Sequence, residues 1–97
     1  MKNNNYQENL FIKMPQDLKI SVVAALKKKI INRISAGKSD EIVFDFSDVS
    51  AMDTGGLALI IFIMEKYGEK KILKFVDISD NIKYIFYLDE RTSKILL

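Results

Sequence analysis

Apolar residues recur at helical intervals between Ser21 and Ala36. They are spaced three or four positions apart, and Lys27, Lys28 and Lys29 fall mostly between them. This spacing is typical of an amphipathic helix. The apolar set is Val22 or Val23, Leu26, Ile30 and Ile34. We expect Ser21 to be the N-cap and Gly37 to end the helix.

Three shorter apolar segments predict strands. Residues 10–14 (LFIKM) end at Pro15, residues 41–46 (EIVFDF) alternate around Asp45, and residues 72–78 (ILKFVDI) form the third segment. Because Val43 lies on the more polar face of the second segment, we expect both faces of that strand to be partly covered. The tail, residues 94–97, is predicted to be a last short strand.

The longest apolar run, residues 57–64, could be a buried strand or a buried helix, and its periodicity does not decide between them. Length favours a helix, since about 14 residues separate Asp53-Thr54 from Gly68. A helix that is apolar on all sides must be covered, or must offer one side to a partner. A further helix is predicted from an N-cap at Ser79 to about Leu88.

The predicted order β-α-β-α-β-α indicates an α/β fold, with a mostly parallel sheet covered by three to four helices and right-handed crossovers. The chain has 97 residues, which is enough for one domain and too few for two. We therefore expect a single domain over residues 1–97, in which residues 1–8 form a frayed polar lead-in.

The amino-acid composition limits the kinds of catalytic and metal site that the chain can form. The chain has no Cys and no His, which excludes disulfides, thiolate metal sites and a Ser-His-Asp triad, and argues against zinc. The sequence contains no pair of carboxylates at a spacing that would indicate a hydrolase. The sequence therefore predicts no enzyme activity, no metal and no cofactor.

Charge and hydropathy bear on the partners. The formal net charge is +2, from 15 basic and 13 acidic residues, which is too even for a dedicated binder of nucleic acid or anionic membranes. The eight-residue apolar run is shorter than the roughly 20 residues that a membrane-spanning helix needs. The polar N-terminus is not a signal peptide. We expect a cytoplasmic protein that does not insert into a membrane.

Residues 42–59 (IVFDFSDVSAMDTGGLAL) carry a recognisable pattern. A hydrophobic strand ends in an acidic and hydroxyl-bearing loop, and an Asp-Thr-Gly-Gly-Leu run then opens a helix. This pattern resembles the central signature of STAS domains, and the match of elements extends over about residues 10–90. Within that family, Asp-Thr-Gly-Gly-Leu-Ala-Leu is most similar to the small STAS subunit of the bacterial Mla phospholipid ABC transporter.

The resemblance implies an anti-sigma-factor-antagonist-like fold and a protein partner. In the Mla system the STAS subunit binds the ATPase and supports assembly and activity of the transporter with its permease, which would place the subunit at the inner membrane through its partner. The implied partner-binding residues are Asp48, Asp53, Thr54, Gly55, Gly56 and Leu57. The alternative within the family is an anti-sigma factor antagonist, in which Thr54 would be the phosphoacceptor for an anti-sigma factor kinase. The short ends also leave open the STAS part of a longer polypeptide, such as a fused permease.

Physical chemistry gives Thr54 two interpretations. A hydroxyl at the start of a helix lies where backbone N–H groups lack partners and the helix dipole is positive. A phosphate there would add a charge of about −1.5 to −2 and repel a partner fitted to a neutral hydroxyl. Gly55 and Gly56 would let another backbone approach closely. In the simpler interpretation, Asp53 or Thr54 is an ordinary N-cap and the glycines shape a turn.

Asp45, Asp48 and Asp53 raise one more possibility. Three carboxylates near a phosphate could bind Mg²⁺. Helix capping and loop solvation account for them more simply, so the sequence predicts no metal site here.

Overall fold

The computed structural model describes residues 9–97, so the expectation of a frayed lead-in at residues 1–8 lies outside the described residues. The strands are β1 (Leu10–Lys13), β2 (Asp17–Leu18), β3 (Glu41–Asp45), β4 (Ala51–Met52) and β5 (Ile72–Val76). The α-helices are α1 (Ile20–Ala36), α2 (Thr54–Tyr67), α3 (Asp80–Phe86) and α4 (Glu90–Ser93), and a 3-10 helix follows at Lys94–Leu96.

The main sheet has three parallel strands in the order β1-β3-β5. Its register places Ile12 opposite Phe44, and Phe44 opposite Phe75. Each strand is separated from the next by a helix, as parallel pairing requires. The α/β class, the parallel pairing and the predicted number of helices are confirmed.

One face of the sheet holds the aromatic core. The rings of Phe44 and Phe75 stack with centroids 5.1 Å apart, and the ring of Phe46 meets that of Phe86 edge to face at 5.7 Å. Phe44, Phe46 and Phe86 are fully buried. Because the helices pack against this face, it accounts for most of the buried apolar surface.

The opposite face of the sheet is largely open among the described residues. Phe11 and Ile72 are more than half exposed, whereas Val43 retains only 7% of its accessible surface. In register, Val43 lies between Phe11 and Lys74. The predicted partial cover of this face is therefore limited to its centre.

Helix α1 packs through its predicted stripe. Ile30 and Ile34 are buried, and Val23, rather than the more exposed Val22, faces the core. The helix ends at Gly37 as predicted. The predicted N-cap was wrong, because the helix begins at Ile20 and Ser21 lies inside its first turn. The cap comes instead from a distant side chain, which belongs to the candidate site.

Helix α2 has the predicted bounds, Thr54 to Tyr67, with Asp53 as N-cap and Gly68 at the C-cap. It is buried on most sides. Its buried residues are Gly55, Gly56, Leu57, Leu59, Ile60, Ile63 and Tyr67. Thr54 and Ala58 remain exposed near its beginning. The ambiguous apolar run is thus a core helix with one free edge.

The C-terminal part differs from the sequence prediction. The tail does not form a strand, because α4 and the 3-10 helix carry the chain onward in helical turns. The Thr92 hydroxyl is fully buried and donates to the carbonyl oxygen of Phe86 at 2.6 Å. This bond joins α4 to the end of α3. Within residues 9–97, β5 is an edge strand of the sheet.

Two smaller predictions also change. Helix α3 ends at Phe86, two residues earlier than predicted, and the Ser79 side chain makes no capping bond, although Ser79 is its N-cap residue. Asp89 caps α4 by accepting from the backbone N–H of Arg91. Because α4 has its own N-cap at Asp89, it is a separate helix and not a continuation of α3.

Candidate functional site

A short parallel ladder brings the beginnings of α1 and α2 together. Leu18 of β2 pairs with Met52 of β4, and the Asp53 N–H donates to the Leu18 carbonyl at 3.3 Å. Each two-residue strand runs almost directly into a helix. Consequently the N-termini of the two helices lie side by side at one end of the molecule.

The Asp53 carboxylate joins these two helix ends. Its two oxygens each accept from the backbone N–H of Ile20 at 3.1 Å, and Oδ1 also accepts from the N–H of Gly56 at 3.1 Å. One side chain therefore caps both helices. Asp53, not Thr54, is the N-cap that the sequence left open.

These hydrogen bonds favour the ionised form of Asp53. The pKa of Asp53 is lowered, chiefly by the N–H of Ile20 and then by those of Gly56 and Gly55, with a smaller contribution from the charge of Lys19. Burial opposes this shift without reversing it. The carboxylate is therefore charged at neutral pH, and the backbone N–H groups that donate to it stabilise its negative charge.

Gly55 and Gly56 make room for the chain's own backbone. A Cβ at Gly55 would lie 2.7 Å from the Cβ of Ile20, and one at Gly56 would overlap the carbonyl oxygen of Leu18. Both glycines are buried. The sequence predicted that these glycines let another backbone approach closely. The backbone that approaches them is that of residues 18–20 of the same chain.

Thr54 is exposed at the first position of α2, and its hydroxyl makes no hydrogen bond within residues 9–97. Ile20, which contacts the same turn, is 69% exposed. Lys19 is exposed beside it, and Lys19 and Tyr84 line a common cleft of about 450 Å³ between β4 and α3. We call Lys19, Ile20, Thr54 and Tyr84 the docking surface.

The other predicted site residues lie elsewhere or are covered. Leu57 is buried in the core at 7% exposure. Asp48 is exposed and lies 3.6 Å from the Lys13 Nζ, which is also 3.8 Å from Asp45. The contacts of Asp48 thus place it at the end of β1 and β3, and none of them involves Asp53 or Thr54.

The three aspartates do not form one cluster. The pKa of Asp45 is lowered, mainly because its carboxylate accepts the backbone N–H of Ser47 at 2.9 Å. Asp48 faces Lys13, and Asp53 caps two helices. Across residues 9–97 no three acidic side chains are grouped so that they could hold a metal ion.

Sequence reasoning did not identify Ile20 as part of the site. The spacing carried no such signal, because Ile20 lies three positions before Val23 and so continues the same pattern of apolar residues. Its 69% exposure at the first position of α1 is seen only in the structure. Separately, the described helices include none that is both long and apolar enough to cross a bilayer.

Comparison with known proteins agrees with this geometry. The STAS domain model matches residues 2–88. The structure of the anti-sigma factor antagonist SpoIIAA in its unphosphorylated form has a similar fold, with a TM-score of 0.71 and 20% identity, covering 96% of this chain and 78% of that one. A sulfate transporter family protein from Wolinella succinogenes has a TM-score of 0.73 and 12% identity, covering 90% and 70%.

No curated protein matches the chain. At 20% and 12% identity, the two solved structures establish that the fold is shared. The family match covers most of the sequence. The chain therefore belongs to the STAS domain family, whose members are non-catalytic protein-interaction modules.

Proposed function

We propose that this STAS domain binds the ATPase subunit of an Mla-type phospholipid ABC transporter through the docking surface, and so stabilises or regulates the transporter. The observation that carries the proposal is the exposed Thr54 hydroxyl, which makes no hydrogen bond within residues 9–97, in a turn that the exposed Ile20 contacts at Gly55. The Asp-Thr-Gly-Gly-Leu-Ala-Leu run favours this partner. The protein would then work in the cytoplasm, held near the inner membrane by its partner.

The docking surface has the chemistry of a protein contact. Ile20 offers an apolar side chain that a partner could bury, and Tyr84, 63% exposed, offers an aromatic ring with a polar tip. Thr54 adds a hydroxyl that can donate and accept. Because Asp53 fixes both helix ends, these side chains are presented on a rigid base, which lowers the ordering cost of binding.

A charge at Thr54 tests the proposed contact. We expect Thr54→Glu to weaken association with the ATPase at least about tenfold, because a buried carboxylate without a partner costs more than 1.4 kcal/mol. Thr54→Ser should retain binding, since it keeps the hydroxyl. Ser35→Glu is the matched control, as Ser35 is exposed on the same helix as Ile20 and about 22 Å along its axis.

The readout is the dissociation constant for purified ATPase, together with recovery of ATPase and permease on an affinity-tagged STAS domain. Ile20→Glu provides a second charge within the docking surface and should weaken binding in the same way. Equal affinities for Thr54→Glu, Ile20→Glu and Ser35→Glu would reject the docking surface as the contact.

A second candidate is an anti-sigma factor antagonist that a kinase switches by phosphorylating Thr54. The exposed hydroxyl and the shared fold with SpoIIAA favour it. Incubation with the anti-sigma factor kinases of the cell and ATP should then add one phosphate to the wild type and none to Thr54→Ala, as measured by mass spectrometry. If none of these kinases labels the wild-type protein, this candidate is excluded.

A further inference from the structure

Strand β5 has an unpaired edge within residues 9–97. Its Ile72 N–H donates to the Asp40 carbonyl, and its Val76 carbonyl accepts from Phe46, so these groups face β3. Alternation along the strand turns the backbone N–H and C=O groups of Leu73 and Phe75 to the opposite side. In the described part of the chain, no strand pairs with that side.

A groove of about 550 Å³ runs along this edge. It lies between the end of α2, at Met64 and Gly68, and Ile95 of the 3-10 helix, with the half-buried side chains of Leu73 and Phe75 exposed to it. The groove thus offers unpaired backbone groups and apolar side chains along the same strand. Those are the two requirements for binding an extended peptide by strand addition.

The charges at the groove indicate the chemistry of the occupant. Lys74 and Lys94 line it, and no acidic residue does. Lys74 lies 3.3 Å from Glu41 across the outer face of the sheet, whereas Lys94 has no ion pair with any residue from 9 to 97. An acidic segment would therefore complement this groove better than a neutral or basic one.

We propose that the β5 edge is a second protein-binding site, which takes an extended segment of a partner protein that alternates apolar and acidic residues. The apolar side chains enter the groove beside Leu73, Phe75 and Ile95. The acidic side chains lie near Lys74 and Lys94, and the backbone of the segment pairs with Leu73 and Phe75. This site is separate from the docking surface and does not depend on the function proposed for it.

A second copy of the chain suits this edge less well. Antiparallel pairing of β5 with itself about its central residue would place Lys74 opposite Lys74. Like charges directly opposite each other destabilise a strand pair. Self-pairing in this centred register is therefore disfavoured, whereas an acidic partner meets no such repulsion.

Amide hydrogen exchange tests the proposal directly. The probe is the capped peptide Glu-Val-Glu-Val-Glu-Val-Glu, added to the full chain at about ten times its dissociation constant. At that concentration the exchange of the Leu73 and Phe75 amides should slow about tenfold. The same peptide with alternate backbone nitrogens methylated keeps its side chains but cannot complete the ladder, so it should leave exchange unchanged.

Charge variants provide the second measurement. Lys94→Glu should lower the affinity for the peptide about threefold or more, which is the range expected for an exposed ion pair. Lys28→Glu on α1 is the control and should leave that affinity unchanged. Thr54→Glu should also leave peptide binding intact. Unchanged exchange at Leu73 and Phe75, equal binding by the two lysine variants, or a dimer that protects this edge without peptide would each overturn the proposal.

Discussion

The carboxylate of Asp53 accepts the backbone N–H of Ile20, which lies 33 positions earlier in the chain, at 3.1 Å from both of its oxygens. The same carboxylate accepts the N–H of Gly56. A residue that looks like a local cap for α2 is thus also the cap of α1. The exposed residues Thr54 and Ile20 therefore lie in the two helix ends that this side chain joins.

Replacing Asp53 should make the fold less stable and less sensitive to acid. Since the pKa of Asp53 is lowered in the folded protein, its stabilisation is fully present above the ordinary value of about 3.9 and is lost as the pH falls through the folded-state value. Asp53→Asn should therefore lower Tm at pH 7 and lose less stability than the wild type on acidification. Thermal unfolding from pH 7 to pH 3 measures both effects.

Asp48→Asn is the control for that experiment, because Asp48 is exposed and, within residues 9–97, its side chain makes only a surface ion pair with Lys13. Its Tm at pH 7 should stay close to that of the wild type. If Asp53→Asn and Asp48→Asn behave alike, the double cap contributes nothing measurable to stability.

Adding a methyl group at Gly55 should destabilise the fold even though alanine favours helices. The new Cβ would lie 2.7 Å from the Cβ of Ile20 and 2.8 Å from its Cα, so the start of α1 must move. We expect Gly55→Ala to cost about 1–3 kcal/mol in the free energy of unfolding. Urea denaturation measures this cost.

Gly37→Ala is a matched control, since the nearest atom to its new Cβ would be 3.7 Å away. Its effect should be within about 0.5 kcal/mol. Adding Ile20→Ala to Gly55→Ala should restore part of the loss by removing the Ile20 Cδ1 that lies 2.8 Å from the new methyl. If Gly55→Ala leaves the free energy of unfolding unchanged, the start of α1 shifts freely to make room for the methyl group.

The buried hydroxyl of Thr92 should stabilise the junction of α3 and α4. Thr92→Val keeps the shape but leaves the Phe86 carbonyl without its donor, which should cost about 1–3 kcal/mol. Ser93→Ala removes an exposed bond to the Glu90 carbonyl and should cost less. Chemical denaturation of the two variants compares them, and equal losses would contradict the role assigned to Thr92.

Arg91 should control the acidity of Asp89. Its guanidinium donates to both carboxylate oxygens, at 3.0 Å from Nε and 2.9 Å from Nη2, and this pairing holds the pKa of Asp89 at about 2. In Arg91→Ala the pKa should rise toward the ordinary value of about 3.9, and the remaining backbone N–H keeps part of the shift. NMR titration of the Asp89 carboxyl carbon follows this change.

Glu65→Ala is the control for Asp89. Glu65 pairs with the same Arg91 at 2.9 Å but does not contact Asp89 directly. It should leave the Asp89 titration nearly unchanged. A pKa of Asp89 that stays at about 2 in Arg91→Ala would assign the shift to the backbone alone.

The sequence predicted the elements whose signals are local. Helix α2 was predicted with its observed bounds because Asp53, the apolar run and Gly68 all lie within it or next to it. The position of Thr54 at a helix start was predicted, but the sequence left open whether Thr54 caps the helix or is exposed, and the structure shows it exposed. The parallel sheet followed from the alternation of strands and helices.

The features that sequence reasoning missed depend on distant contacts or on very short segments. Strands β2 and β4 have two residues each, which is too short for any periodicity to appear. The start of α1 depends on Asp53 rather than on Ser21. The tail, residues 94–97, was apolar enough to suggest a strand, but it directly follows α4 and continues in a 3-10 helix. Helix α4 is itself held by the bond from Thr92 to Phe86, a contact that the sequence does not show.

The parallel pairing has a consequence for how the chain folds. Leu10 pairs with Ile42, Glu41 with Ile72 and Asp17 with Ala51, so each ladder closes a loop of about thirty residues. No hairpin within residues 9–97 can nucleate the sheet. Each ladder therefore needs two remote segments to meet, and the main sheet needs three. We expect the folding rate to fall among mixed α/β domains rather than fast helical bundles.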